Sequence, residues 1–439
     1  MEVEIQPRPK SIALAAYGRV VRHNRNFRRL WMAQIVSEIG DWFYTLAIYS
    51  LLIQLTGRAS SVALALILQV LPLTFIGPTA GVVNDRVSRK RVMIAADVVR
   101  AVIVLSMLLV RTRSMVWLVY PLLLMETLGA AFFEPARTSV IPNITEREDL
   151  VLANTISSTT WSINLVLGAA LGGIVGALLG RDAVFVLNAA SFVASAFLIR
   201  GMKFHEPHTD AATPMRAREL VDFTPVLEGI RYVRRDTRLL VNVFLKAGLF
   251  VIGPSWVLFT ILGERDFPVH WFGIDPQRGA MLGMSLLMGA RGVGALLGPL
   301  FAAPWAGLSQ GRLRLCILGG YILQSMGYAS LGASKTLWLA CLCVTFAHCG
   351  GSAVWVFSTT LLHLNTDDRF RGRVFAAELG FSMLNIAIGS YLAGVFLDRG
   401  VSVREVATVA GLLMLIPASL WAWVIWRWRA QDSALGTVP

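Results

Sequence analysis

Hydrophobic and polar positions alternate along this chain in long blocks, with none of the short two- or four-residue rhythm of a soluble fold. Twelve apolar runs stand out: 30–55, 60–83, 92–112, 115–136, 155–179, 183–202, 239–262, 279–307, 313–333, 336–361, 374–397 and 405–426. Each is close to or above the roughly 20 residues that a helix needs to cross a hydrocarbon core about 30 Å thick. The pattern predicts an all-α integral membrane protein with twelve transmembrane helices. The longest polar interruption, 203–238, falls between the sixth and seventh runs and splits them into two six-helix bundles, 30–202 and 239–428. A polar, basic segment 1–29 precedes the first bundle, and a tail 429–439 follows the second. Within the central linker, LVDFTPVLEGIRYVRRDTRLL reads as an amphipathic helix lying on the membrane surface, its basic side towards anionic headgroups. The run 30–55 is too long and too interrupted by charge for the apolar part of a signal peptide, so it is expected to remain as a membrane helix.

The two bundles carry traces of a repeat at a constant offset of 221 residues. Gly77-Pro78 in span 2 matches Gly298-Pro299 in span 8, and NLVLGAALGG in span 5 matches NIAIGSYLAG in span 11. The second match aligns Asn164, Gly168 and Gly173 with Asn385, Gly389 and Gly394, and Gly172 belongs to the same cluster. Small residues let helices approach closely, and a Gly-Pro pair weakens a helix enough to bend it. Gly77, Pro78, Gly168, Gly172, Gly173, Gly298, Pro299, Gly389 and Gly394 are therefore expected where the two bundles touch or flex. A parallel repeat of two bundles with a site between them is a transporter design.

Composition sharpens this picture. Of 439 residues, 55% are hydrophobic and 15% charged, with a net charge of +13. If both termini face the cytoplasm, 28 of the 40 Lys and Arg lie on that side and 9 on the other. The basic balance is thus an orientation signal under the positive-inside rule, and no nucleic-acid partner is expected. The four cysteines, Cys316, Cys341, Cys343 and Cys349, all fall in apolar spans without the ligand set of a zinc site, so no metal, disulfide or cofactor is expected. There is no nucleophile with its base, no HExxH-type metal set and no phosphate-cradling loop, which speaks against an enzyme.

One joint is unusual. GVVNDRVSRKR, residues 81–91, links spans 2 and 3 and holds an aspartate among four basic residues. It resembles motif A of the major facilitator superfamily, G-x-x-x-D-[RK]-x-G-[RK]-[RK]: Gly81, Asp85, Arg86, Arg89 and Lys90 match, and Ser88 replaces the usual glycine. FRRLWMAQIVSEIGDW (27–42), ADVVRA (96–101), FFEPARTSVIP (132–142) and RGRVFA (371–376) are similar to the bacterial efflux branch that includes macrolide exporters and enterobactin-exporter-type proteins. The resemblance covers nearly the whole chain. It implies the major facilitator fold and proton-driven export of amphipathic molecules such as drugs, siderophores or lipids from a bacterial-type inner membrane. It also implies that Asp85 and its basic neighbours latch the halves on the cytoplasmic side. The corresponding second-half segment, AAPWAGLSQGR (302–312), has lost the aspartate, so the latch is single. Span 4 departs from better-studied drug antiporters: where their motif B has an arginine four residues before a glycine, Met125 precedes Gly129.

An ionisable group at bilayer depth costs several kcal/mol, and each needs a partner or a task. Glu38 and Asp41 are three apart on span 1 and share a face, with Asp41 roughly 16 Å along the helix from Leu30. Together with Glu126 in span 4 and Arg291 in span 8 they are the candidates for binding protons or substrate; Glu126 and Arg291 can also pair with each other. The alternative for the carboxylates is a structural role, capped by a neighbouring Trp, Tyr or amide. Asp97 and Arg100, three apart on span 3, are expected as a local ion pair bracing the motif-A turn. Glu134 is expected to meet the basic residues of 86–91, Glu378 to join the same cytoplasmic gate, and Lys246 to snorkel towards the interface. Trp161, Trp256 and Trp355 lie deep enough to stack on a flat or amphipathic ligand, with helix packing the expected role, and His348 and His363 are expected as hydrogen-bonded helix histidines. Two working readings remain: a proton-coupled exporter working by rocker-switch alternating access, and an uncoupled facilitator or importer of a defined metabolite. Either would act as a monomer among membrane lipids.

Overall fold

The computed structural model describes residues 14–210, 224–270, 275–367 and 370–434. Twelve long helical elements run through them. The first half holds α1 (Arg25–Thr56), α2 (Ala59–Arg86), α3 (Arg89–Ser106), α4 (Val119–Ile144), α5 (Leu150–Leu179) and α6 (Arg181–Arg200). The second holds α7 (Thr237–Asp266), α8 (Pro276–Ala306), α9 (Gln310–Ala333), α10 (Leu337–Asn365), α11 (Arg371–Asp398) and α12 (Val403–Leu413, resumed over Leu415–Ala434). Ten elements among the described residues are long and apolar enough to cross a bilayer. The other two, α1 and α9, are long enough but diluted, α1 by its basic first turns and two carboxylates, α9 by glycine and polar residues.

Most helices outrun the apolar blocks that predict them, because their ends continue into the polar headgroup zone, where caps hold them. The side chain of Asn24 accepts from Phe27 N at 2.9 Å and starts α1 five residues early; Gly57, at φ 68°, ends it in the left-handed conformation that glycine alone adopts freely. Span 3 is shorter than expected: α3 stops at Ser106, and 3₁₀ turns over Met107–Leu109 and Arg113–Leu118 lead into α4, which runs on through Pro135 to Ile144. The linker forms a helix over Thr224–Val233 that packs on α11, with Arg373 and Glu228 paired at 2.7 Å, and α7 has already begun at Thr237. The expected single amphipathic helix is therefore two elements; its first residues, like 1–13 and 435–439 of the terminal segments, lie outside the described residues.

The halves meet along two helix pairs, α2 with α11 and α5 with α8. Here the small residues divide. A Cβ on Gly394 would stand 2.9 Å from Ser60 Cα across the α2–α11 seam. One on Gly173 would collide with Ser285 Cβ across the α5–α8 seam, where the Ser285 hydroxyl donates to the Ala169 carbonyl. The expectation for the other glycines is corrected. Gly168 and Gly172 face Trp42 and Phe43 of α1, Gly389 faces Pro254 of α7, and Gly298 faces Cys349 of α10, all within one half; Gly77 has open space around it. Close approach is needed inside each bundle as much as between bundles, and sequence spacing does not separate the two. Pro78 and Pro299 lie within helices that continue past them.

We call the end of the bundle holding the start of α1 and the linker the termini face, and the other the far face. The α2–α11 seam is tight at the far face (Gly394 to Ser60), still closed midway (a Cβ on Gly380 would stand 3.1 Å from Thr74 Cγ2), and open beside Gly77 and Gly81. Hydrogen bonds joining the halves sit on the far side too: Arg265 to the Gly57 carbonyl, Arg278 to the Leu178 carbonyl, and Asp398 with the first residues of α2. The halves are thus closed at the far face and splayed towards the termini.

α7 is broken between Leu245 and Ile252. The Tyr321 hydroxyl donates to the Leu245 carbonyl, and Asn385 Nδ2 donates to the Ala247 carbonyl at 2.7 Å, so acceptors at the break are satisfied. At this break Lys246 does not snorkel. Its Nζ lies 2.7 Å from Glu378, with both side chains under 5% exposed, and 4.3 Å from the centre of the Trp355 ring. Glu378 is thereby committed to α7 and does not reach the motif-A residues, because a buried ammonium holds the nearest carboxylate. Removing one partner of such a pair leaves a bare buried charge. Glu378→Gln should cost about 3–5 kcal/mol and lower the thermal unfolding midpoint of the detergent-solubilised protein, whereas Lys246→Met with Glu378→Met should recover most of the loss.

Candidate functional site

The polar centre of the first half is a single guanidinium. Arg100 projects from α3 between α1 and α4, 4% exposed at its side chain. Its Nη2 donates to both oxygens of Asp41, at 2.8 and 2.9 Å, and to Glu126 Oε1 at 2.6 Å, while Nε donates to the same Glu126 oxygen at 2.8 Å. The Phe192 ring covers the guanidinium at 4.1 Å. The stem fits only because α4 has no side chain where it passes: a Cβ on Gly129 would lie 2.7 Å from Arg100 Cγ. Two expectations change here. Asp97 and Arg100 are not a pair bracing the motif-A turn; Arg100 turns inward, where α1 and α4 offer two carboxylates to its fork of donors. Asp97 is left fully buried, with neither oxygen hydrogen-bonded among the described residues. Nor does Glu126 pair with Arg291, which stands in the other half.

A cavity of about 230 Å³ opens beside this cluster, lined by Asp41, Trp42, Tyr49, Gln69, Arg100, Glu126 and Trp256 among others. Asp41, 35% exposed at its side chain, is the carboxylate facing the opening; Glu126, at 8%, stands behind it. Across the cavity Trp42 and Trp256 stack with ring centres 5.8 Å apart and planes within 4°, joining α1 to α7. Arg291 lies with its guanidinium carbon 4.1 Å from the Trp256 ring centre, and its buried Nη1 has no hydrogen-bond partner among the described residues. Nearby, Tyr328 and His348 are hydrogen-bonded at 2.8 Å, and His363 packs on Phe375; Trp161 is half exposed and away from the cavity lining.

Glu38 belongs to a second, separate network. Gln34 Nε2 and Asn164 Nδ2 donate to its two oxygens, each at 2.8 Å. From Gln34 a chain of hydrogen bonds passes through Ser157 (2.6 Å) to Arg137 (2.8 Å) and on to Glu134 (2.8 Å), whose side chain is 47% exposed. Glu134 therefore holds Arg137, one helical turn away, and does not meet the basic residues of 86–91.

Arg89 and Lys90 close on their own half. Arg89 donates to the carbonyls of Asn84 (3.1 Å) and Ser139 (2.9 Å), and Lys90 to the Met202 carbonyl at 2.6 Å. Arg86 closes α2, and Glu206 accepts from Ser88 and from the Arg89 amide at the start of α3. Asp85 is 73% exposed, 3.5 Å from Arg89, and Gly81 borders open space.

A family model described as transmembrane secretion effector matches residues 21–435. The chain belongs to this family of major facilitator transporters. Among curated relatives of the transporter are macrolide efflux protein A of Streptococcus pyogenes, 25% identical over 89% of this chain and 93% of that one, and a putative bacilysin exporter of Bacillus amyloliquefaciens, 24% identical over 78% and 82%. The solved nucleoside transporter NupG shares the fold, with a TM-score of 0.68 at 12% identity over 91% of this chain and 98% of that one. The transporter is a multi-pass membrane protein and not an enzyme.

In this secretion-effector chain the cation missing from span 4 is supplied by the neighbouring helix. The only sequence signal was the glycine at 129, which keeps the slot clear while the arginine comes from α3. Glu38 has the amide caps that the structural alternative foresees, from Gln34 and Asn164, although that reading names neither them nor Ser157 and Arg137 beyond them. Gly129→Ala should displace Arg100 at an overpacking cost of about 1–3 kcal/mol in thermal unfolding, and transport should fall with it. Arg100→Lys should leave expression intact but lose transport, since an ammonium cannot reproduce the forked contacts to two carboxylates.

Proposed function

We propose that this transporter exports amphipathic small molecules such as drugs, siderophores or lipids, driven by proton entry, by rocking one six-helix half against the other. The observation that carries the reading is the arrangement of Asp41, Glu126 and Asp97 near one guanidinium, Arg100. At membrane depth, three ionised carboxylates with one cation would leave uncompensated negative charge, and a proton is the smallest counter-charge available. Asp41 is the member open to the cavity. It is the carboxylate from which Arg100 can be released when a proton or a cationic substrate arrives, with Glu126 retaining the arginine. Trp256 lines the opposite wall with the Arg291 guanidinium against its ring, so a flat, amphipathic solute would meet an aromatic surface backed by a cation.

Relatives named for macrolide efflux and bacilysin export support the outward direction. The excess of Lys and Arg on the termini face supports cytoplasmic termini in a bacterial-type inner membrane, which makes the present splayed state the one open to the cytoplasm. Glu38, joined through Gln34, Ser157 and Arg137 to Glu134, is a second proton-binding candidate, with a hydrogen-bonded route towards the termini face.

Proteoliposomes with an imposed pH gradient and an internal pH dye test the reading directly, challenged in turn with amphipathic drugs, siderophores and lysolipids. The expected result is a substrate-triggered proton flux that a protonophore abolishes and that is absent in Asp41→Asn, while that variant remains folded. Substrate flux without proton movement would identify an uncoupled facilitator instead.

A further inference from the structure

Two aspartates stand at the wrong ends of their own helices. Asp85 is the penultimate residue of α2, and Asp398 is the last residue of α11. Each sits at a C-terminus, where the exposed carbonyls and the helix dipole disfavour a negative charge. Because α2 and α11 run antiparallel along one seam between the halves, the C-terminus of each lies beside the N-terminus of the other. The wrong end of one helix is the right end of its neighbour.

At the far face this contact is made. Asp398 Oδ1 accepts from Ala59 N at 2.7 Å and Oδ2 from Ser60 N at 3.2 Å, and the Ser60 hydroxyl also donates to Oδ2. α2 needs this help, since the residue at its own N-cap position, Arg58, makes no side-chain capping bond. The second half therefore caps a helix of the first half in trans. Two arginines of the second half match it in sign at the same face. Arg278 donates to the Leu178 carbonyl at the end of α5 (3.3 Å), and Arg265 to the Gly57 carbonyl that follows α1 (3.0 Å). An acid meets a helix N-terminus and cations meet C-termini. Asp398, Arg265 and Arg278 are all exposed, so each contact is individually weak, as a closure that opens in every cycle requires.

At the termini face the counterpart is open. Asp85 is 73% exposed, and Gly81 of α2 and Gly372 in the first turn of α11 both border open space. Arg371 adds positive charge beside that helix N-terminus, and Arg373 there is paired with Glu228.

We propose that Asp398 is a positioning residue of the transport cycle: it holds the far face shut by capping α2 in trans, as the counterpart of the latch that the motif-A resemblance implies for Asp85 at the termini face. Substrate and coupling ion do not enter this inference, so it stands or falls separately from the assignment of proton-coupled export.

The test is spin-label distance measurement on the full chain in lipid nanodiscs, with the four cysteines replaced. Labels at residues 113 and 335 report the far face, and labels at 147 and 312 the termini face. Asp398→Ala should raise the ratio of far-face-open to far-face-closed molecules about two- to tenfold, the range expected for losing one charge–helix-end contact. The distance at the termini face should shorten in step. Asp398→Asn keeps an acceptor and loses the charge; it should shift both distributions the same way by less, and it serves if the alanine variant fails to fold. Asp85→Ala should shift the populations in the opposite direction, and the double variant should return towards the starting ratio. Unchanged far-face distances in Asp398→Ala and Asp398→Asn would overturn the proposal. So would a broadening at both faces without exchange between them, which is the mark of a merely structural cap.

Discussion

A guanidinium placed at bilayer depth has to be surrounded by acceptors, and much of the first half is arranged around that requirement. Arg100 draws Asp41 from α1 and Glu126 from α4 onto one group, fixes three helices against each other, and needs Gly129 to be bare. The same contact sets the chemistry of the cavity, because the carboxylate that faces the opening is also the one tied to the arginine. Any event that changes the charge on Asp41 changes what holds α1 to α3. Trp42, its neighbour in sequence, stacks across to Trp256 of the other half. A charge change at Asp41 is thus one residue away from a contact between the two halves.

The second half solves the burial of charge differently. Lys246 and Glu378 form a closed pair beside the break in α7, shielded by Trp355, and satisfy each other without reaching the cavity. Arg291 lies against the Trp256 ring, its buried Nη1 without a hydrogen-bond partner among the described residues. The two halves share a repeated pattern at their glycines and asparagines, yet the matched asparagines do different work. Asn164 holds the Glu38 carboxylate, while Asn385 caps a carbonyl freed by the broken helix. Between the halves the forces are weaker: close contacts at Gly173 and Gly394, and side chains of one half satisfying helix ends of the other. Strong, closed networks within each bundle and exposed, sign-matched contacts between bundles are what a rocking motion of two rigid bodies requires.

The membrane architecture was legible in the sequence because apolar block length is dictated by bilayer thickness, and twelve blocks split by one polar linker leave little freedom. The cavity-facing carboxylate Asp41 was legible for the same reason, being a charge at the centre of a span. Partner choice was not. Spacing on one helix suggested Asp97 with Arg100, Glu134 with the 86–91 segment and a snorkelling Lys246, but each partner was decided by which neighbouring helix faces the group. Arg100 crosses to α1 and α4, and Lys246 turns to Glu378. Glycines failed in the same way: a small residue announces a close approach without saying what approaches. Asp398 was overlooked because an acid at a helix end facing water reads as solubility, and only the antiparallel neighbour gives it meaning.

The central claim is that Asp41, held by Arg100 at the mouth of the cavity, exchanges a proton with water during the cycle. Infrared difference spectroscopy on the purified protein in lipid, titrated from acid to alkaline pH, reads this without knowledge of the substrate. The account predicts a protonated-carboxyl band that appears on acidification and loses intensity in Asp41→Asn, while Glu378→Gln leaves it unchanged. A spectrum in which the Asp41→Asn protein keeps the full band, or in which no carboxyl is protonated anywhere in that range, would contradict it.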